Sequence, residues 1–256
     1  MIANYHTHTW RCNHATDTEE EYVTCALERG LRILGFSDHS PYCFPKDHDA
    51  YFRMTPEQLP GYVETVLALR EKYRGKIEIP LGLELEYYPK YLPETLPLLK
   101  DAGIEYLLLG QHFLDNEIGA AYSGKATADV DILKRYCAQS AQAMQTGLFT
   151  YFAHPDLMNF KGSDSDYRTH MGLLCKEAKA CNLPLEINLL GFFKNRHYPD
   201  RRFWELAAEE GCSVILGCDT HGAKHLLEKE TEEKALKMVE ELGLQLLETV
   251  SLRPIG

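Results

Sequence analysis

Seven short runs of apolar and β-branched residues recur along the chain, at 2–8, 32–37, 77–85, 106–110, 149–153, 185–188 and 214–217. Between them the apolar positions take a helical period. The stripes are Tyr62, Val66, Leu69 and Tyr73, then Val130, Leu133, Tyr136, Cys137 and Met144. Met171, Leu174, Cys175 and Ala178 follow, then Phe203, Leu206 and Ala207, and last Ala235, Met238, Val239 and Leu242. Local signals mark the helix ends. Asp17 and Thr18 offer N-caps, and Thr18 has Glu21 at capping-box spacing for a helix that ends near Gly30. Thr55-Pro56-Glu57-Gln58 reads as a capped start, and Pro93 opens a short helix that finishes near Gly103.

Strict alternation of strand and helix predicts parallel strands joined by crossover helices. Two folds are built this way: the closed barrel and the open, doubly wound sheet. The open sheet carries a Gly-rich phosphate loop after its first strand, and none follows residues 2–8. The polar residues decide between the two. His6, His8, His39, Glu84, His112, His154, Asp219 and His221 all fall at the C-terminal ends of the predicted strands. In a barrel those ends converge on one mouth, whereas in an open sheet they spread along a line too long for one site. The expectation is a single-domain α/β barrel over residues 1–256, since no repeat, low-complexity tract or linker divides the chain.

Composition narrows the classes of function. Hydrophobic residues make up 45% of the chain, enough for a real core. Thirty-eight acidic against 27 basic residues give a net charge of −11, which repels a nucleic-acid backbone and argues against a duplex binder. A small anionic substrate is still allowed where metal ions reverse the field locally. With no signal pattern at the start and no run of about 18 apolar residues, the expectation is a cytoplasmic protein without a membrane segment. The eight cysteines are scattered, with no Cys-x-x-Cys, and read as reduced core residues. Cys12 and Cys218 lie beside histidines and are at most lining residues.

The candidate chemistry is metal binding. His6 and His8, one residue apart on a strand, point to the same face. His14 follows on the loop beyond. Together with His39, Glu84, His112, His154, Asp219 and His221 they form a set of seven imidazoles and two carboxylates. One metal takes four to six ligands, so two or three divalent ions are implied. Mixed nitrogen and oxygen donors suit zinc, manganese or iron. One histidine at a strand end is commonly a hydrogen-bonded structural residue. Seven crowded imidazoles would each need a partner, and a metal cluster provides one. His48, His170, His197 and His225 read as surface or loop residues, with His197 the one exception worth keeping.

These motifs, in this order, resemble the polymerase-and-histidinol-phosphatase (PHP) family. They are His6-Thr7-His8, Ser37-Asp38-His39, Gly82-Leu83-Glu84, Gly110-Gln111-His112, Ala153-His154-Pro155-Asp156 and Gly217-Cys218-Asp219-Thr220-His221. The resemblance spans essentially the whole chain. It implies a distorted, TIM-barrel-like (β/α)7 barrel of PHP type with a trinuclear site. His6, His8, Glu84 and Asp219 would hold one ion, Glu84, His112 and His154 a second, and His14, His39 and His221 a third. Asp17 would be a substitute for His14 or its neighbour.

Three dications against two carboxylates leave a site charge of roughly +4, suited to a phosphate group. The expected reaction is phosphoester hydrolysis, with a metal-bridging hydroxide as nucleophile. Asp17, Asp38 and His197 are the candidates for the general acid, with a metal-bound water as the alternative. Within the family the chain most resembles the stand-alone histidinol-phosphate phosphatases, through Glu20-Glu21-Tyr22, Ser37 to Pro41 and Glu186-Ile187-Asn188. That resemblance implies L-histidinol phosphate as substrate and a place in histidine biosynthesis. Those enzymes commonly hold the phosphate with arginines after the fifth and sixth strands. Here Phe193 stands at the second such position, and Lys161, Lys194 and Arg196 are the replacements, with Arg196 best suited to bidentate binding. Glu86 is a candidate partner for the substrate's amine. The alternatives are a phosphoesterase or nuclease acting on a nucleotide or oligonucleotide end, and a non-catalytic metal-bound barrel. The oligomeric state is not written in these motifs.

Overall fold

The computed structural model of the chain describes residues 1–48 and 50–255. Its centre is a ring of parallel strands: β1 (Ala3–Asn4), β2 (Ile33–Leu34), β3 (Phe36–His39), β4 (Leu81–Leu85), β5 (Tyr106–Leu109), β6 (Phe149–Phe152), β7 (Leu185–Asn188) and β8 (Ser213–Gly217). β2 and β3 are one predicted strand interrupted at Gly35, so the ring has the seven staves that the hydrophobic runs predict. The register from β3 to β8 is parallel throughout. Among the described residues eight α-helices follow the strands: α1 (Glu19–Arg29), α2 (Leu59–Lys72), α3 (Leu92–Asp101), α4 (Val130–Gln145), α5 (Asp164–Ala180), α6 (Leu189–Phe193), α7 (Arg201–Glu209) and α8 (Lys229–Leu242). Thr18 and Glu21 form the expected capping box on α1, and Gly30 ends that helix in the left-handed conformation at φ 84°.

The ring closes through the first segment. On one side the Arg32, Gly35 and Ser37 amides donate to the Ile2, Asn4 and Thr7 carbonyls at 2.8, 2.7 and 2.9 Å. On the other, the Thr220 amide donates to the His6 carbonyl at 3.2 Å and the His8 amide to the Thr220 carbonyl at 3.0 Å. The regular strand is shorter than the predicted 2–8. The Asn4 side chain accepts from the Cys218 amide at 2.8 Å, donates to the His6 carbonyl at 3.1 Å, and so replaces ladder bonds with side-chain bonds. An unpredicted strand, β9 (Gln245–Leu246), pairs with the start of β8. β8 therefore meets β9 at its base, and only the segment just beyond it meets the first stave. This is where the barrel is distorted.

Alternation along the strands sorts side chains into two layers. Outward residues such as Leu83, Leu107, Phe152, Ile187 and Leu216 pack under the helices. Inward, Tyr5, Tyr106, Leu108, Tyr151, Ala153 and Ile215 fill the barrel and form a floor. The Tyr106 hydroxyl donates toward the carbonyls of Tyr5 at 2.8 Å and Phe36 at 3.1 Å, so its burial, worth roughly 1.5–3 kcal/mol by area, leaves no polar group unpaired. At the inward positions of β4 and β7, in register with Leu108 and Ile215, stand Glu84 and Glu186. No helix among the described residues is long and apolar enough to cross a membrane.

Candidate metal centre

Each stave delivers its polar residue at the same end of the barrel. Glu84, at the inward position of β4, lies at the middle of the cluster. Its Oε1 is 2.8 Å from His154 Nε2 and 3.5 Å from His112 Nε2. Its Oε2 is 3.0 Å from His39 Nδ1, 3.5 Å from His6 Nε2 and 3.6 Å from His8 Nε2. Asp219 Oδ1 is 3.1 Å from His8 Nε2, 3.6 Å from His6 Nε2 and 3.4 Å from His221 Nδ1. The His14 ring lies 4.5 Å from that of His221 and 5.4 Å from that of His39. All nine predicted residues thus come together. Donor atoms within 4.8 Å of one another fall into groups that include His6, His8 and Asp219, then His6, Glu84 and His154, and then His14, His39 and His221.

Two of these residues need an unusual backbone. His154 and Asp219 adopt left-handed φ angles of 34° and 47°. Such a conformation costs a non-glycine residue on the order of 1–2 kcal/mol, and here it lies at strand ends that present side chains to the mouth.

The chemistry of the donor set suits divalent metal ions. His6 Nε2, His8 Nε2, His39 Nδ1, Glu84 Oε2 and His221 Nε2 are buried without a hydrogen-bond partner. Spacings of 3.0–3.6 Å between imidazole nitrogens and these carboxylate oxygens are near the edge of a tetrahedron, about 3.3 Å, around zinc bonded at 2.0–2.1 Å. Charge points the same way. Burial pushes the Glu84 carboxyl up, but His112, His6 and His39 outweigh it and hold the group well below the usual carboxylate range. Asp219 is held down likewise by His6 and His8 against its burial. The two carboxylates call for positive charge beside them. His6 is driven up against its burial by Glu186, Asp219 and Glu84, and His8 is raised to about 9 against burial by the neighbouring carboxylates of Asp219 and Asp38. Burial, then the neighbouring His8, pushes His14, His39 and His221 down and keeps them neutral, the state a metal ligand needs.

Behind the imidazoles stand three carboxylates, none of them read from the sequence in this role. Glu186 Oε1 is 2.8 Å from His6 Nδ1, and its Oε2 accepts from the His154 amide and from Asn188 Nδ2, both at 3.0 Å. Asp38 Oδ1 is 3.4 Å from His8 Nδ1 and accepts from the His39 amide at 2.8 Å, while Oδ2 accepts from the Thr9 hydroxyl. Glu86 Oε1 is 2.9 Å from His112 Nδ1. A carboxylate on the remote nitrogen fixes both the tautomer and the orientation of a ligand histidine.

The expectations for Asp38 and Glu86 are therefore corrected. Both are fully buried. Asp38 is occupied by His8, Thr9 and the His39 amide and does not line the cavity, so it has no path to a leaving group. Glu86 does not meet the substrate's amine: Arg53 grips it with two nitrogens at 3.0 and 3.1 Å. His197 is also displaced from the general-acid role, since its Nε2 is bonded to the Leu157 carbonyl at 2.8 Å and the ring stays out of the cavity wall. Asp17 Oδ2 accepts from the Ala223 amide at 2.8 Å and braces a loop. Lys161 is exposed and outside the cavity lining.

The cavity over the cluster has a volume of about 870 Å³. Lys194 and Arg196 line it, as expected, with Arg196 Nη1 donating to the Tyr198 hydroxyl at 2.5 Å. Part of the wall is aromatic. The rings of Phe52 and Phe113 stack at 5.5 Å, Phe113 and Tyr122 lie 5.3 Å apart, and Tyr51 adjoins Phe52 at 5.8 Å. His225, read from the sequence as a loop residue, is also in the lining, with its ring 4.4 Å from that of Phe193. These wall residues lie on irregular segments, where no periodicity marks them.

Fold and donor set together define the class, a closed parallel α/β barrel with histidines and carboxylates gathered at its C-terminal mouth. The PHP domain model matches residues 4–189, and the chain belongs to this family. It is 32% identical over 234 residues to a probable histidinol-phosphatase of Deinococcus radiodurans, covering 86% of each chain. It is 26% identical to a probable phosphatase of Shewanella pealeana, over 88% of this chain and 79% of that one. Among solved structures, its fold is similar to histidinol phosphate phosphatase from Lactococcus lactis complexed with zinc, L-histidinol and phosphate. The TM-score is 0.76 at 20% identity, over 98% of this chain and 97% of that chain.

Proposed function

We propose that the chain is a metal-dependent phosphomonoesterase that hydrolyses L-histidinol phosphate to L-histidinol and phosphate. The observation that carries this reading is the cluster of buried, unpartnered imidazole and carboxylate atoms directly beneath a cavity that also presents Arg196 and Lys194. His6, His8, Glu84 and Asp219 would hold one divalent ion, Glu84, His112 and His154 a second, and His14, His39 and His221 a third. Zinc is the first choice, with manganese and iron accepted by the same donors. Such ions supply Lewis acidity toward a phosphoryl group and lower the pKa of water.

The chain's own residues do the rest. Glu186, Asp38 and Glu86 orient the ligand imidazoles. Arg196, held by Tyr198, offers charge-assisted hydrogen bonds to a phosphate, and Lys194 adds a point charge. The aromatic wall of Phe52, Phe113 and Tyr122 receives the flat imidazole of the leaving group and keeps water from it. The names of the Deinococcus and Lactococcus relatives support histidinol phosphate in particular. The same reading makes the chain one functional unit over residues 1–256, cytoplasmic, serving histidine biosynthesis, with no duplex nucleic acid as partner.

The test is elemental analysis of the purified protein, then chelation, restoration with zinc or manganese, and a panel of phosphoesters. Activity lost on chelation, regained with metal and highest on histidinol phosphate is the expected result. Activity that survives complete stripping overturns the metal mechanism. Preference for a nucleoside monophosphate or a short oligonucleotide overturns the substrate.

A further inference from the structure

His112 is set apart from the other oriented histidines by what holds its carboxylate. Glu186 is anchored by Asn188 and the His154 amide, and Asp38 by Thr9 and the His39 amide; all of these lie on or beside strand ends. Glu86 is anchored by Arg53, which comes from the irregular segment after β3 that crosses the mouth. Nη1 of Arg53 donates to Glu86 Oε2 at 3.0 Å and to the Ser40 carbonyl at 2.9 Å. Nη2 donates to Glu86 Oε1 at 3.1 Å and to Glu117 Oε2 at 2.5 Å. Glu117 in turn is 3.1 Å from His48 Nε2. Arg53, Glu86 and Glu117 are 3%, 0% and 5% exposed, so these charges have little water to pair with and depend on one another.

We propose that Arg53 is the positioning residue that sets the orientation of His112 and ties it to the aromatic wall of the cavity. A two-nitrogen fork fixes the plane of the Glu86 carboxylate, which a single hydrogen bond does not. A fixed plane aims one lone pair at His112 Nδ1, which selects the tautomer with the proton on Nδ1 and leaves the Nε2 lone pair directed at the donor cluster, 3.5 Å from Glu84 Oε1. The same guanidinium lies under Phe52, with its central carbon 4.3 Å from the ring centroid. Phe52 reaches back over the site, 5.4 Å from the His39 ring and 6.3 Å from the His112 ring, ring to ring. One side chain thus fastens the segment that carries the wall and the carboxylate that aims a donor. A shift of the segment moves Arg53, frees Glu86 and loosens His112.

The inference rests on the reading of the cluster as a metal centre, and the test separates the two. Wild-type protein, Arg53→Lys and Arg53→Met are loaded with zinc and titrated against a chelator, and the cobalt-substituted proteins are compared by visible absorption. Lysine keeps the charge without the fork. The expected result is that Arg53→Lys binds one of its zinc ions about 10- to 100-fold more weakly, with the remainder unchanged and an altered cobalt spectrum. Arg53→Ala supplied with guanidinium in solution is expected to regain zinc affinity, a rescue that a general loss of packing would not give. If Arg53→Met fails to fold, the lysine variant and the guanidinium rescue still decide. A wild type that retains no zinc overturns the metal reading and this inference with it. A wild type that retains zinc beside an Arg53→Lys protein of equal zinc affinity and identical cobalt spectrum overturns the inference alone.

Discussion

The carboxylate of Glu84 occupies the space in which a side chain at Gly110 would stand. A Cβ built on Gly110 overlaps Glu84 Oε1, and the carboxyl and γ carbons lie just behind. Glycine is needed here for room, not for its backbone freedom. Gly110→Ala is expected to drive Glu84 off His154 and His112 and to weaken metal binding about 10- to 100-fold, with far-ultraviolet circular dichroism unchanged. An alanine variant with wild-type zinc content and kcat/KM would mean that Glu84 is not held where these distances put it. Gly217 stands in the same relation to Glu186.

Glu186→Gln tests the orienting carboxylates. Glutamine fits the same space but can turn an amide nitrogen toward His6 Nδ1 and select the wrong tautomer. Zinc titration should read about 10- to 100-fold weaker binding, and kcat should fall with little change in KM.

Arg196 is expected to act on the substrate rather than on the metals. Arg196→Ala removes a charge-assisted hydrogen bond worth about 1.5–3 kcal/mol, a rise of roughly 10- to 100-fold in KM for a phosphomonoester. Metal content should be unchanged. Tyr198→Phe removes only the hydroxyl that braces Arg196 and should give a smaller rise. Steady-state kinetics on the three proteins checks the order.

Asp156 gives a pH signature of stability. Burial pushes its carboxyl up to about 7, even though the Asp200 amide at 2.6 Å and the Trp204 indole at 3.0 Å both donate to Oδ2. Its Oδ1 has no partner. Between about pH 4 and 7 the folded state holds a proton that the unfolded state has released, so this group's share of stability is full below about 4 and is lost as pH rises through 7. The loss amounts to roughly 4 kcal/mol over the window. Denaturant melts of the metal-free protein should show that slope, and Asp156→Asn should flatten it. A variant with the wild-type slope would remove Asp156 as its source.

The barrel and its donors are legible in the sequence because each is a local signal. A hydrophobic run ends, a histidine or an acid follows, and Thr18, Pro93 and Gly30 mark helix ends by their own chemistry. What stayed hidden is made of pairs far apart in the chain. Glu186 and His6 are 180 residues apart, and nothing at either position announces the other. Parity alone offered a clue, since Glu186 faces inward on β7 as Glu84 does on β4. Glu86 could be read as a substrate contact only while Arg53 was invisible to it. The short helix α6 and β9 are not legible in the sequence, because five and two residues carry no period. His225 reaches the wall on a single 3-10 turn, which carries no sequence period.

Asn4 and Cys218, bonded across the closure, are separated by 214 residues, and His221 comes only just after. The first stave stays unpaired on one edge until β8 and the segment just beyond it have been made. No nascent, truncated or nicked fragment that ends before β8 holds the full donor set. A copy that stops short of Asp219 and His221 lacks two of the nine donors, so the full cluster is expected to assemble only after β8 has been made.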